Sequence, residues 1–350
     1  MELRALQTGV FSHPEFDTHQ TIQFVSDAAS GLRAIIAVHD TTLGPALGGC
    51  RRWRYDTEQD ALTDVLRLSA GMTLKNAAAG LDLGGGKAVI LSDGLEPSPD
   101  MWRAFGQAVD HLGGQYITAE DVGTGQTAVD LISETTTHVR GTSAKGLGDP
   151  SPFTAEGVFA GIRAGAKHRF GADNLDGLTV AVQGLGNVGG GVAERAHQDG
   201  AQLIVADIDP AKTQDFADKL GATVASVDQI HTVSADIFAP CALGGGLNAE
   251  TIPEIKALVV AGAANNQLAG DEDAERLRKH GILYAPDFII NAGGVISIAL
   301  ADEFDTADKM NARVARLGDV LAEIFVEADN NERTTQDIAV AHAIERLAKA

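Results

Sequence analysis

At 350 residues the chain exceeds the size at which one hydrophobic core usually stops growing, so two domains are expected, and 44% hydrophobic residues supply both. A formal charge of −21 repels nucleic acid and anionic lipid surfaces, which excludes both as general partners. Two cysteines, Cys50 and Cys241, argue for a reducing, cytoplasmic compartment; no run is apolar over the ~18 residues of a membrane span, and no basic-then-apolar leader opens the chain.

In chain order, LRAIIAVHD (32–40) reads as a strand and residues 56–80 as a long helix with Leu62, Val65, Leu66, Ser69 and Met72 recurring on one face. Residues 71–91, GMTLKNAAAGLDLGGGKAVIL, are small and apolar, and their charged side chains are Lys75, Asp82 and Lys87. A buried ammonium must find anionic or hydrogen-bonding partners, because taking it out of water costs several kcal/mol, roughly. The run Gly84-Gly85-Gly86 reads as part of a loop before a short strand KAVIL (87–91), letting backbone approach a ligand and turning both lysines into one cleft. On the residues alone, an equal reading has both lysines reach water along their stems. A helix is expected over 101–113, and a strand over QYITAEDVG (115–123) that sets Asp121 at its C-terminal edge, where α/β proteins keep ligands. Asp121 serves equally as the cap of a helix opening at Thr124. Residues 151–171 read as a connecting helix from Ser-Pro to Gly171.

After that helix the rhythm is regular. Strands LTVAVQG, QLIVADID, ADIFAP, ALVVAGA and ILYAPDFII alternate with helical patterns, which indicates a parallel, doubly wound sheet. The first is followed at once by Gly184-Leu185-Gly186-Asn187-Val188-Gly189 at the mouth of a helix. The first glycine suits a tight turn, the second a close approach to a pyrophosphate and the third helix-on-strand packing, with the anion at the helix N-terminus. Asp207 ends the next strand, where a carboxylate accepts from an adenosine ribose and repels a 2′-phosphate, so the cofactor reads as NAD. Ile208 beside it counts with the cofactor site. Arg195 and Lys212 lie near enough in sequence to soften that preference.

The chain resembles the glutamate/leucine/phenylalanine/valine dehydrogenases, and within them the leucine and phenylalanine branch. The resemblance runs from about residue 33 to 330 through DTTLGPALGGCRRW, GMTLKNAAAGLDLGGGKAVI, TAEDVGTG, SPFTAEGV, VQGLGNVG, APCALGG, AGAANNQL and NAGGVISIALADE. It implies reversible oxidative deamination of an L-amino acid to a 2-oxo acid and ammonia, with a hydride passing to NAD⁺. In that reading Lys75 pairs with the substrate carboxylate, aided by Asn291. Lys87 is the catalytic base; near Lys75 in a partly desolvated cleft its ammonium is disfavoured. Asp121 exchanges protons with the amine, and the Gly48 carbonyl accepts from it. Leu47, Ala119, Val295 and Ile298 line the side-chain pocket, with Met72 beside it. Thr154 and Asn265 face the nicotinamide, and Cys241 and Ala242 the adenosine portion. The all-apolar lining favours leucine, with valine and isoleucine close, over phenylalanine; glutamate finds nothing there to hold its γ-carboxylate. Cys50, Ser297 and the short ending after AIERLAKA depart from the family pattern.

The ten histidines form no HExxH or HxxxH pair and the cysteines no CxxC, so no metal is expected; His39 and His111 read as surface or strand-end residues. A 2-hydroxy-acid dehydrogenase would need a histidine base where this chain offers lysines. A different class remains, a non-catalytic NAD-sensing module, whose mark would be loss of the ionisable residues. The expected architecture is α/β in two domains. An N-terminal substrate and oligomerisation domain spans 1–145, a Rossmann-type NAD domain spans 146–330, and 331–350 packs back on the first. The active site lies in the cleft, and the protein is a homo-oligomer.

Overall fold

The computed structural model describes residues 9–145, 147–242 and 244–350. The chain divides into two units, Met1–Gly148 with Ile344–Ala350, and Asp149–Ala343.

The first unit contains β1 (Thr21–Asp27), β2 (Leu32–Asp40), β3 (Ala46–Leu47), β4 (Cys50–Trp53), α1 (Glu58–Ala78), β5 (Gly84–Leu91), α2 (Pro99–Asp110), β6 (Tyr116–Ile117) and α3 (Gln126–Ser133). Its sheet runs β1-β2-β5-β3-β6, with β4 also paired to β5. The long strands β2 and β5 are antiparallel neighbours, and their alternation fills two layers. Ile36, Val38, Ala88 and Ile90 pack with Trp102, Phe105 and Ile132 of α2 and α3. Ile35, Ala37 and Val89 pack with Leu62, Val65 and Leu66 of α1. Helix α1 opens with a capping box, in which Thr57 accepts from the Asp60 amide and the Asp60 side chain answers to the Thr57 amide.

Several expected elements differ, among them ALVVAGA, which is a strand only over Val259–Val260. The glycine run is no loop but the start of β5, because each glycine meets protein on a buried strand. A Cβ on Gly84 would strike the Asp40 carbonyl, on Gly85 the backbone of Thr73 in α1, and on Gly86 the ring of Tyr116. The glycines therefore let helix and strand close on each other, and do not open a path for a ligand. Strand β6 is only Tyr116–Ile117, since the chain turns back through an Asp121–Thr124 bridge. ILYAPDFII splits into a two-residue strand and a short helix, because Pro286 has no N–H for a ladder and starts the helix instead.

The second unit contains α4 (Ser151–Phe170), β7 (Thr179–Gln183), α5 (Asn187–Gln198), β8 (Gln202–Ala206), α6 (Pro210–Leu220), β9 (Thr223–Val224), β10 (Ile237–Pro240), β11 (Val259–Val260), α7 (Glu272–Lys279), β12 (Leu283–Tyr284), α8 (Asp287–Ile290), α9 (Gly293–Ala299), α10 (Ala307–Ala315), α11 (Leu317–Asn331) and α12 (Thr335–Ala348), whose end belongs to the first unit. All strand pairs are parallel, in the order β12-β11-β10-β7-β8-β9. This is the doubly wound arrangement, and the order reverses between β7 and β10, so the C-terminal ends of those two strands flank the crevice where such sheets take ligands. Helix α4 carries Gly157, Gly161 and Gly165 on one stripe, against Leu317, Ile290 and Val259. Among the described residues no helix is long and apolar enough to cross a membrane.

Candidate active site

Strand alternation decides where Lys87 goes. Ala88 and Ile90 enter the layer under α2 and α3, so Lys87 projects with Val89 toward α1. It is 7% exposed, buried rather than carried out to the surface along its stem. Its Nζ forms an ion pair with Asp121 Oδ2. Asp121 does not cap a helix: α3 begins after Gly125 with no side-chain cap, and Asp121 Oδ1 accepts instead from the Val122 amide at 2.8 Å. Burial alone would raise the Asp121 carboxyl. The charge and hydrogen bond of Lys87, then Arg51 and the Val122 amide, outweigh that and hold it below the ordinary carboxylate range.

Strand β4 supplies the rest of this network. Cys50 faces the α2 layer and is fully buried, which pushes its thiol far up and leaves it neutral. Arg51 therefore faces α1. Its Nε lies 3.8 Å from Asp121 Oδ2, and its Nη1 donates to both oxygens of Asp64 at 3.2 and 3.0 Å. Tyr55 donates its hydroxyl to Asp64 Oδ2 at 2.6 Å.

Strands β3 and β4 succeed each other along one edge of β5, and Gly48–Gly49 is the handover beside Gly86 and Lys87. A Cβ on Gly48 would collide with the Gly86 carbonyl and come within 3.3 Å of Met72 Cγ. The Gly48 carbonyl accepts from the buried Tyr116 hydroxyl at 2.6 Å, which uses one of its two lone pairs. Leu47 and Ala119 are buried. Lys75 is half-buried in the last turn of α1. Asn76, beside it, donates to the carbonyls of Leu47 and Gly84, at 3.2 and 2.6 Å, and ties α1 to both strands. His39 stands next to the last residue of β2, the strand-end alternative, and is half-buried, sharing a hydrogen bond with Thr73 Oγ1 at 2.8 Å.

In the second unit the glycine-rich turn follows β7. Gly184 adopts φ +90°, with Ala242 beside it. Gly189 packs against the Gly184 carbonyl and Cys241, while nothing stands within 4 Å of a Cβ on Gly186, the uncapped N-terminus of α5. Open space over unpaired helix N–H groups is what a dinucleotide pyrophosphate requires, so these residues fit the cofactor. Asn187 and Val188 form the first turn of α5. Desolvation would raise Asp207, but amides of Leu185 at 2.7 Å and Asp209 at 2.9 Å, then Lys212, hold its carboxyl low, so it is an anion that also braces the turn. Ile208 is 88% exposed beside it. Arg195 does not join Asp207: it donates to Glu156 on α4 at 2.9 Å. Desolvation pushes the Cys241 thiol up to about 12.

Asn291 Nδ2 donates to Asn265 Oδ1 at 2.8 Å and to the Ala263 carbonyl at 3.1 Å, joining two residues that the sequence suggested separately. Thr154 Oγ1 would meet a Cβ on Gly294 at 2.6 Å, which seats the start of α4 on α9. Val295 and Ile298 share one half-buried face of α9, and Ser297 turns inward to donate to the Gly294 carbonyl at 2.8 Å. Among the described residues no group of His, Cys, Asp and Glu is arranged to hold a metal ion. Arg51, Asp64, Tyr55, Asn76 and Tyr116 did not stand out in the sequence. Only Asn76 had a signal, recurring with Ser69 and Thr73 at helical spacing on an apolar face.

Residues 16–138 match the Glu/Leu/Phe/Val dehydrogenase dimerisation domain, and residues 205–350 the Glutamate/Leucine/Phenylalanine/Valine dehydrogenase domain. The chain is 47% identical to a leucine dehydrogenase of Bacillus cereus, over 97% of this chain and 93% of that one. It is also 47% identical to a phenylalanine dehydrogenase of Bacillus thermotolerans, over 92% and 86%. The crystal structure of the L-tryptophan dehydrogenase of Nostoc punctiforme superposes with a TM-score of 0.85 at 42% identity, covering 95% of this chain and 96% of that one. With the ionisable residues intact, these matches displace the reading as a non-catalytic sensing module. The chain belongs to the glutamate/leucine/phenylalanine/valine dehydrogenase family and is an NAD(P)-dependent amino-acid dehydrogenase.

Proposed function

We propose that this enzyme is an NAD-dependent dehydrogenase of branched-chain L-amino acids, with leucine preferred and valine and isoleucine close behind. The observation that carries the amine chemistry is the buried Lys87–Asp121 pair, set on the side of the sheet that α1, the helix of Lys75, covers. Lys75 would hold the substrate carboxylate together with Asn291. The Gly48 carbonyl would accept from the amine through the lone pair that Tyr116 leaves, and Asp121, an anion at neutral pH, would take up and return the amine proton. Neutral Lys87 would accept a proton from the water that attacks the substrate iminium and, once charged, would stabilise the oxyanion. Oxidative deamination therefore rises from neutral into alkaline pH.

Gly184, Gly186, Asn187, Val188 and Gly189 would hold the pyrophosphate, and Asp207 with Ile208 the adenosine ribose, flanked by Cys241 and Ala242. Thr154 and Asn265 would face the nicotinamide. NAD⁺ bound there supplies the hydride acceptor. The anionic Asp207, with Arg195 engaged elsewhere, supports NAD over NADP.

Preference for an aliphatic substrate rests on Leu47, Ala119, Val295 and Ile298. None offers a group for a glutamate γ-carboxylate, and the branched pair narrows the space for a phenyl ring. Recognition by such a lining gains about 1–3 kcal/mol per methylene of fit. The test is NADH formation across a panel of L-amino acids, with NAD⁺ and NADP⁺ compared. A kcat/KM for phenylalanine about tenfold above that for leucine, about 1.4 kcal/mol, overturns the substrate assignment in favour of phenylalanine. The match of the first unit to a dimerisation domain supports a homo-oligomer, which light scattering tests, and the two unpaired cysteines accord with the cytoplasm.

A further inference from the structure

The Tyr55–Asp64–Arg51 chain ends on Asp121 and has no place in the scheme above. Tyr55 fixes Asp64 through one oxygen, and Asp64 takes Arg51 Nη1 with both. Arg51 then stands with its Nε 3.8 Å from Asp121 Oδ2, the oxygen that meets Lys87. At that distance it gives charge, without a hydrogen bond. Both partners are largely shielded, Arg51 at 26% and Asp121 at 16% side-chain exposure, so solvent screens the contact only in part.

We propose that Arg51 is a positioning residue that sets the proton content of the Lys87–Asp121 pair, with Asp64 and Tyr55 setting how strongly it does so. The inference rests on the reading of Lys87 and Asp121 as the proton-transfer pair. Two such close groups titrate together, and an added cation favours the state of the pair with fewer protons. That is the state in which Lys87 can act as base. The other groups around Asp121 are Cys50 on β4, Tyr55 after it, Tyr116 on β6 and Glu120 next in the chain. Burial raises Cys50, Tyr55 and Tyr116 and keeps them neutral, Lys75 on α1 adds charge on the side of Lys87, and the charges that lower Asp121 are those of Lys87 first and then Arg51. A purely structural reading makes Arg51–Asp64 a tie between β4 and α1. That reading predicts lost stability and no change in the pair's titration.

The test is trace acetylation of Lys87 with acetic anhydride, followed by mass spectrometry across pH, which needs no turnover. Arg51→Met should move the midpoint of Lys87 labelling up by about one pH unit, and Arg51→Lys should return most of it. Asp64→Asn, which strips Arg51 of its counterion, should move it down. The ascending limb of the pH–rate profile should follow in the same directions. A folded Arg51→Met with an unmoved midpoint overturns the proposal. If that variant fails to fold, an unmoved midpoint in Asp64→Asn does so. A wild-type protein that turns over no amino acid, yet shows these opposite shifts, overturns the functional reading and leaves this one standing.

Discussion

Replacing Gly85 by alanine separates two meanings of a glycine-rich strand. The added Cβ would lie 2.1 Å from both the amide nitrogen and the Oγ1 of Thr73, and 2.5 Å from its Cα. Thr73 is buried, and the main clash is with backbone, which no rotamer change relieves. Helix α1 must recede by about 1 Å from β5, against interior packing that resists such gaps. Overpacking of this kind costs about 3 kcal/mol, the upper end of the usual range. For a unit of this size that lowers Tm by about 6–12 °C. The same displacement carries Lys75 away from Lys87, so kcat/KM should fall by about a hundredfold. Gly186→Ala is the matched control. Its φ of −65° suits any residue and no heavy atom stands within 4 Å, so Tm should hold within about 1 °C, while NADH binding weakens about tenfold. Differential scanning fluorimetry and NADH fluorescence titration read the two effects. If Gly85→Ala melts with the wild type and loses only ligand affinity, the packing argument is wrong and the glycine run serves a ligand after all.

Lys87→Ala should lose about 10²–10⁴ in kcat while still binding NADH, whereas Lys75→Ala should mainly raise the amino-acid KM; near-normal turnover without Lys87 removes it from the mechanism. Asp207→Ser should improve the NADP⁺ to NAD⁺ ratio of kcat/KM and cost about 1 kcal/mol of stability through the lost Leu185 acceptor, and an unchanged ratio refutes the ribose assignment. Asp121 titrates below its unfolded value near 3.9, so the stability it contributes is complete above about pH 5 and lost as pH falls through the folded value. Tm against pH should therefore fall more steeply below about pH 5 for the wild type than for Asp121→Asn; parallel curves exclude this linkage.

Long periodic elements were legible because one physical signal dominated each. The apolar strand LRAIIAVHD, the helical face of 56–80 and the strand–glycine–helix run after Thr179 all appear as expected. The short strands β3 and β4 were not, since GPALGGCRRW has no period long enough to read and takes its shape from the edge of β5. The glycine run misled for a related reason: glycine signals close approach, and the sequence does not say whether a ligand or a helix approaches. The side taken by Lys87 stayed open in the sequence, where reaching water was an equal reading, and was decided by Val89 packing under α1. Nothing local could show that Arg51 would stand behind Asp121 or that Asn265 and Asn291 would share a hydrogen bond, because both depend on loops that only the finished sheets bring together.

The return of Ile344–Ala350 to the first unit has a consequence for how the chain is made. Arg346 donates to the carbonyls of Ala77 and Leu81, at 3.1 and 2.6 Å, and pairs with Asp82, closing the exposed end of the helix that carries Lys75. Domains generally fold as units in order of synthesis. Here the N-terminal unit emerges first and yet is sealed last, because its closing segment is translated only after the whole second unit. A nascent chain halted before Ile344 would hold a finished nucleotide fold and an unsealed substrate unit. The bonds that Arg346 makes to the end of the lysine-bearing helix can therefore form only after the second unit has been synthesised.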